Sequence, residues 1–154
     1  MEKIMLVIST MRHSSKAVEY ALKSATERNA ELVSLFILDS NVPSSVFQRL
    51  HEMDLIGEKP SEELSEALYR EYRQRGYAKL KEIEKKAKEV NIPCTIYIEE
   101  GDFAEEVFKK IDKLNISLVI LSRIHRSNIA RLIFGSAVDR IIKQAKCEVK
   151  IVDE

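Results

Sequence analysis

The sequence predicts an α/β fold in which a five-stranded parallel sheet carries helices on both faces. Short, continuous apolar runs recur along the 154 residues, which is typical of strands that are covered on both sides. Segments with helical apolar spacing separate these runs, so each strand is connected to the next by a crossover. Because the chain has single-domain length and no repeat or linker composition, we expect one domain over residues 1–154.

The amino-terminal part is predicted to form a strand, a helix and a second strand. Residues 4–8 (IMLVI) and 32–38 (LVSLFIL) are the two apolar runs. Between them, apolar residues recur at three and four positions after Ser15, which predicts a helix with Ser14 or Ser15 as its N-cap.

The middle of the chain combines an irregular segment with a long helix. Residues 42–60 mix proline, serine and glycine with isolated apolar residues, which indicates an excursion from the regular pattern. Strong helix formers then continue from Ser61 to about Val90, before Pro93. We expect Gly76 to bend or break this helix.

The carboxyl-terminal part is predicted to contribute three further strands and two helices. The strands are residues 94–98, 118–121 and 149–152. A turn over residues 99–102 precedes the first of these helices, and Gly135 opens the second.

Charge and composition exclude several classes of partner. The 25 basic residues balance the 25 acidic ones, so we expect neither nucleic acid nor a membrane surface as the main partner. The chain has no apolar run near the roughly 20 residues that span a bilayer, and we expect a cytoplasmic protein. Cys94 and Cys147 lack metal-ligand spacing and are predicted to be buried thiols, so no metal site is expected.

Polar segments follow four of the predicted strands, where a parallel sheet places its ligand site. They cover residues 9–15, 39–41, 99–102 and 122–136. The carboxyl ends of parallel strands meet at one edge, so this edge is the predicted site.

The segment 122–136 is the most informative because it leads into a helix that opens at Gly135 and Ser136. The start of a helix offers free N–H groups and a positive dipole end, which suit a phosphate group. Arg126 and Ser127 would add a positive charge and a hydroxyl. The alternative is that Gly135 only permits a tight turn into the helix while Ser136 caps it, and both interpretations stay open.

In this region the chain resembles the universal stress protein family. The shared pattern runs from Arg126-Ser127 through Arg131-Leu132 to Gly135-Ser136, and then over residues 147–152. The first strand and helix, and the stretch around Gly101, also resemble the family. The resemblance implies an adenine nucleotide alpha hydrolase-like, Rossmann-like fold and a homodimer formed through the last strand, with Val149, Ile151 and Val152 as interface candidates.

One branch of that family binds ATP through an aspartate after the first strand and a G-x2-G-x9-G-[ST] loop. In this sequence Ser9 stands at the aspartate position, while Ser122 and His125 stand at the first two glycine positions. A hydroxyl cannot accept hydrogen bonds as a carboxylate does, and a side chain obstructs the approach of a phosphate to the backbone. The resemblance therefore favours the members without tight ATP binding.

The candidate residues for binding a nucleotide or anion share a place at the carboxyl edge of the sheet. They are Ser9, Asp39, Gly101, Ser122, His125, Arg126, Ser127, Gly135 and Ser136.

Three functions follow from these residues. The first is a stress-response homodimer that acts as an interaction or signalling module with an unidentified protein partner, without an obligatory cofactor. The second is a sensor that binds ATP or AMP through residues 122–136. The third is a slow nucleotide hydrolase with Asp39 and Asp102 as metal-holding acids. We expect no enzyme and no catalytic residue, and we interpret His125 as a solvated loop residue.

Overall fold

The fold is that of a computed structural model, which describes residues 1–9, 14–39, 62–123 and 137–154, with only the backbone for 62–65. Strands and helices alternate along these residues. In chain order they are β1 (Lys3–Ile8), α1 (Ser15–Arg28), β2 (Glu31–Asp39), α2 (Glu62–Glu89), β3 (Cys94–Gly101), α3 (Phe103–Leu114), β4 (Leu118–Arg123) and β5 (Glu148–Asp153). Residues 137–144, between β4 and β5, are the described part of a fourth helix, α4. The irregular segment predicted at 42–60 lies outside the described residues.

The five strands form one sheet in the order β3-β2-β1-β4-β5, and every neighbouring pair is parallel. The predicted fold class is therefore confirmed. The strand order reverses between β1 and β4, because the chain moves outward on one side of β1 and then returns to its other side. This reversal defines the crevice where open parallel sheets bind ligands.

Helices cover both faces of the sheet, as the sequence predicts. Along β1 the side chains alternate, with Ile4, Leu6 and Ile8 in one core and Met5 and Val7 in the other. Residues of α1 and α2 complete the first core, and residues of α3 and α4 complete the second. A strand buried on both sides must be apolar at every position, which explains its unbroken run.

Predicted and observed strand ends agree within two residues, except at the carboxyl end of β3. The sequence predicts that this strand ends at residue 98, but it continues to Gly101, which pairs with Asp39 in β2. Glu99 and Glu100 resemble turn residues, yet an edge strand tolerates them because one of its sides faces solvent. Gly101 has a φ of 154°, a conformation that side chains disfavour.

The sequence predicts a bend or a break at Gly76. No break occurs, because α2 is one continuous helix from Glu62 to Glu89. Gly76 is buried, and a Cβ atom at this position would overlap the ring of Phe36 in β2. The glycine therefore permits close packing of the helix on the sheet.

The first three helices end in the same way, at an asparagine in the left-handed conformation. Asn29, Asn91 and Asn115 have φ values of 51°, 59° and 54°. The residue after each asparagine donates its N–H to a carbonyl five residues earlier, as in a Schellman motif. These compact ends return the chain to the sheet within a few residues.

Both cysteines are free and only partly buried, so the prediction of buried thiols is wrong. Cys94 begins β3 and Cys147 immediately precedes β5, and these are the two edge strands of the sheet. Each thiol has a raised pKa because burial disfavours the thiolate. In the described part of the chain, none of the helices has the length and apolar character to cross a membrane.

Candidate ligand-binding edge

The candidate site is the carboxyl edge of the sheet, where the described strand ends converge. Ser9 follows β1, Asp39 ends β2, and Gly101 ends β3. Ser122 lies near the end of β4, in register with Val152 of β5. The parallel sheet therefore brings together four of the residues that the sequence proposes for ligand binding.

Ser9 is a buried polar residue at the point where the strand order reverses. Its residue is 2% exposed, and its hydroxyl has no hydrogen-bond partner in the part of the chain that the structure describes. A buried hydroxyl without a partner costs about 1–3 kcal/mol. The Ser9 hydroxyl can donate one hydrogen bond and accept others, so it can interact with a donor or an acceptor of a ligand.

Ser122 is fully buried inside the sheet. It neighbours β5 on one side through Val152, and the preceding residue, Leu121, pairs with Val7 of β1 on the other. A small side chain therefore stands beside the crevice between β1 and β4, at the position that the resemblance assigns to the first glycine of the ATP-binding loop.

Asp39 lies beside a residue that the sequence analysis gave no role, Tyr69 of α2. Asp39 is 6% exposed, so its carboxylate is largely withdrawn from solvent. Burial raises the pKa of Tyr69, and the negative charges of Glu100 and Asp39 raise it further. Tyr69 lies seven residues before Gly76, which is about two helical turns, so both residues lie on the same face of α2. This spacing is the sequence pattern that could have placed Tyr69 against the sheet.

Asp102 is committed to a structural role at the edge. Its carboxylate accepts the N–H of Glu105 at 3.1 Å and so caps α3. It also lies 3.7 Å from the guanidinium of Arg140 in α4. The second contact links the start of α3 to α4 at the surface, beyond the end of β3.

The first turn of α1 has an unexpected cap. Of the two predicted N-cap residues, Ser14 occupies the cap position, but its side chain makes no capping hydrogen bond in the described structure. The carboxylate of Glu154, directly after β5, accepts the N–H groups of Ala17 at 3.0 Å and Lys16 at 3.2 Å. Sequence patterns could not locate this cap because 137 residues separate Glu154 from Ala17.

Five of the predicted binding residues belong to the segment between β4 and α4. His125, Arg126, Ser127, Gly135 and Ser136 lie outside the described residues, so the phosphate-binding segment stays a prediction.

The interface candidates are all described. Val149 and Ile151 contact the core that contains α3 and α4, whereas Val152 contacts the core that contains α1 and α2. All three are only partly buried, because β5 is an edge strand.

Comparison with known proteins gives a consistent result over nearly the whole chain. The sequence profile of the "Universal stress protein family" matches residues 1–153. A universal stress protein of Methanocaldococcus jannaschii is 26% identical over 151 residues, which span 98% of this chain and 81% of that protein.

Solved structures show the same fold. A protein of the universal stress protein family from Burkholderia pseudomallei has a TM-score of 0.69 and 18% identity, covering 98% of this chain and 95% of its own. A family member from Arabidopsis thaliana with AMP bound has a TM-score of 0.65 and 16% identity. That comparison covers 100% of this chain and 92% of the other.

Proposed function

Because this chain belongs to the universal stress protein family, we propose that it is a homodimeric interaction module of the stress response that does not bind ATP tightly. The proposal includes an unidentified protein partner and excludes nucleic acid and membrane as main partners. It assigns no catalytic residue.

The single observation that carries the proposal is that β5 is an edge strand with partly exposed apolar side chains. One side of β5 pairs with β4, and its other side has no neighbouring strand in the described sheet. Val149, Ile151 and Val152 are apolar but only partly buried. A second copy of β5 would extend the sheet by backbone pairing and cover part of these side chains, which is how edge strands associate.

The ligand edge supports the absence of tight ATP binding. Ser9 offers a single hydroxyl where ATP-binding relatives have a carboxylate, and it is almost completely buried. Asp102, one of the two acids considered for metal binding, already caps α3. Ser9 therefore supports weak binding of ATP, and the capping role of Asp102 argues against its use as a metal ligand.

The dimer is tested by measuring mass in solution for the wild-type protein and for Ile151→Lys. A charge on the edge strand should convert a dimer into a monomer. Thr95→Lys is the matched control, because Thr95 is exposed on the opposite edge strand. A wild-type monomer, or equal dissociation by both variants, would contradict the proposed interface.

Nucleotide binding is tested by calorimetric titration with Mg-ATP, together with an assay for released phosphate. The proposal expects no heat of binding up to millimolar ATP and no magnesium-dependent phosphate release. Micromolar binding would instead make the chain a nucleotide sensor, and turnover would favour the hydrolase.

A second candidate function, an AMP-binding sensor, is favoured by the hydroxyl of Ser9, which has no hydrogen-bond partner among the described residues. A buried polar group without a partner is a natural contact for a ligand. The Arabidopsis thaliana relative with AMP bound makes this nucleotide the relevant probe. If AMP binds through Ser9, Ser9→Ala should weaken the affinity about fivefold to tenfold, as expected for a lost hydrogen bond.

A further inference from the structure

Helix α1 contacts the edge strand β5 along the full length of the strand. At one end, the Arg28 guanidinium lies 3.3 Å from the carboxylate of Glu148. In the middle, the Lys150 ammonium lies 5.4 Å from the centre of the Tyr20 ring. At the other end, the Glu154 carboxylate accepts two N–H groups of the first turn of α1.

The contact through Glu154 differs from the other two because it satisfies backbone groups. The first N–H groups of a helix have no partner within the helix, and Ser14 makes no side-chain cap in the described structure. The first turn of α1 also contains no acidic residue. A carboxylate supplied by the end of β5 therefore performs the function that a local N-cap performs in other helices.

The position of Glu154 is set by β4 and β5. Its own N–H donates to the carbonyl of Arg123 at 3.1 Å, which extends the strand pairing by one residue. The Arg123 side chain makes two contacts with the carboxylate of Asp153, at 2.9 and 3.4 Å. The position of the cap therefore depends on the pairing of β4 with β5.

A lysine of α2 faces the same carboxylate. Burial lowers the pKa of Lys79, while the negative charges of Glu82 and Glu154 act in the opposite direction. Lys79, Ser14 and Ser15 line one small cavity of about 160 Å³ between α1 and α2. Thus the Glu154 carboxylate sits where β5, α1 and α2 meet.

We infer that Glu154 couples the carboxyl end of the edge strand β5 to the first turn of α1 by acting as a distant helix N-cap. Displacement of the end of β5 withdraws the carboxylate and uncaps the helix. The order of the first turn of α1 therefore depends on the position of the carboxyl end of β5.

The test is residue-resolved amide hydrogen exchange of the full chain, followed at Lys16 and Ala17. Glu154→Ala should accelerate exchange at both amides about fivefold, the usual effect of losing a cap. Arg123→Ala, which loosens the end of β5, should accelerate the same two amides about twofold. In the double variant the Arg123 substitution should add nothing, because the cap is already absent.

Glu148→Gln is the matched control. It weakens an ion pair between the same strand and the same helix, but at their opposite ends. It should leave exchange at Lys16 and Ala17 unchanged. Unaltered exchange in Glu154→Ala would show that the carboxylate is no cap. Unaltered exchange in Arg123→Ala would show that the end of β5 does not control the cap. The same conclusion would follow if Arg123→Ala accelerated exchange in the Glu154→Ala background as much as in the wild type.

Discussion

Gly76 of α2 packs directly against the ring of Phe36 in β2, and there is no space for a side chain between them. Phe36 is 1% exposed and belongs to the core formed with α1 and α2. Its ring therefore cannot move aside without disturbing other buried residues. The close approach brings α2 onto the sheet at a point midway along the helix.

Gly76→Ala should destabilise the protein by about 1–3 kcal/mol, the usual effect of overpacking a core. Helix propensity acts in the opposite direction, since alanine is favoured over glycine by about 1 kcal/mol in a helix. Urea unfolding measures the balance. Ala78→Gly, at an exposed position of the same helix, is the control and should cost about 1 kcal/mol. A Gly76→Ala variant more stable than the wild type would mean that the gain in helix propensity exceeds the cost of overpacking against Phe36.

Lys110 of α3 is a buried lysine with two partners on β3. Its ammonium lies 2.8 Å from the carboxylate of Glu99 and 4.1 Å from the centre of the Tyr97 ring. Lys110→Ala removes both interactions and leaves a void under the helix, so we expect a loss of about 2–3 kcal/mol. Lys110→Met keeps most of the volume, and should cost less than about 1.5 kcal/mol.

Thermal and urea unfolding would compare these two variants with Lys109→Ala. Lys109 is exposed and pairs with Glu106 at 3.2 Å, so its removal should cost less than about 1 kcal/mol. Equal losses in Lys110→Ala and Lys110→Met would show that the charge of Lys110, and not its packing, is what stabilises the fold.

Burial raises the pKa values of Cys94 and Cys147, and this should slow their modification. For Cys94, a weak hydrogen bond with Ser34 acts in the opposite direction. We expect both thiols to react with a disulfide reagent at pH 8 more slowly in the native protein than in denaturant. Cys147→Ser and Cys94→Ser separate the two rates, and a native rate equal to the unfolded one would refute the effect of burial.

The sequence predicted the fold more fully than the site, for physical reasons. A strand buried on both faces must be apolar throughout, so β1, β2 and β4 are visible in the sequence alone. The parallel arrangement then places Ser9 and Asp39 at one edge. The contacts of Gly76 with Phe36 and of Glu154 with α1 depend on residues that meet only after folding. Local patterns contain no information about such pairs.

The amino end of the sheet contains an ion-pair network, which should make stability depend on pH. Glu2 accepts a hydrogen bond from Ser117 at 2.9 Å and pairs with Arg28 at 3.0 Å. The hydrogen bond from Ser117 lowers the pKa of Glu2, and the contacts with Arg28 lower it further. A carboxylate whose pKa is lowered by folding stabilises the native state above its unfolded pKa of about 4.3.

This contribution should be complete at neutral pH and should be lost as the pH falls below about 4 through the folded pKa of Glu2. Glu2→Gln should therefore reduce stability at pH 7, while its difference from the wild type should vanish at the lowest pH. Urea unfolding between pH 7 and pH 3 measures this convergence. Glu19→Gln, a substitution at an exposed position of α1, should give the same dependence of the free energy of unfolding on pH as the wild type. A constant difference between Glu2→Gln and the wild type at every pH would show that the charge of Glu2 is not responsible.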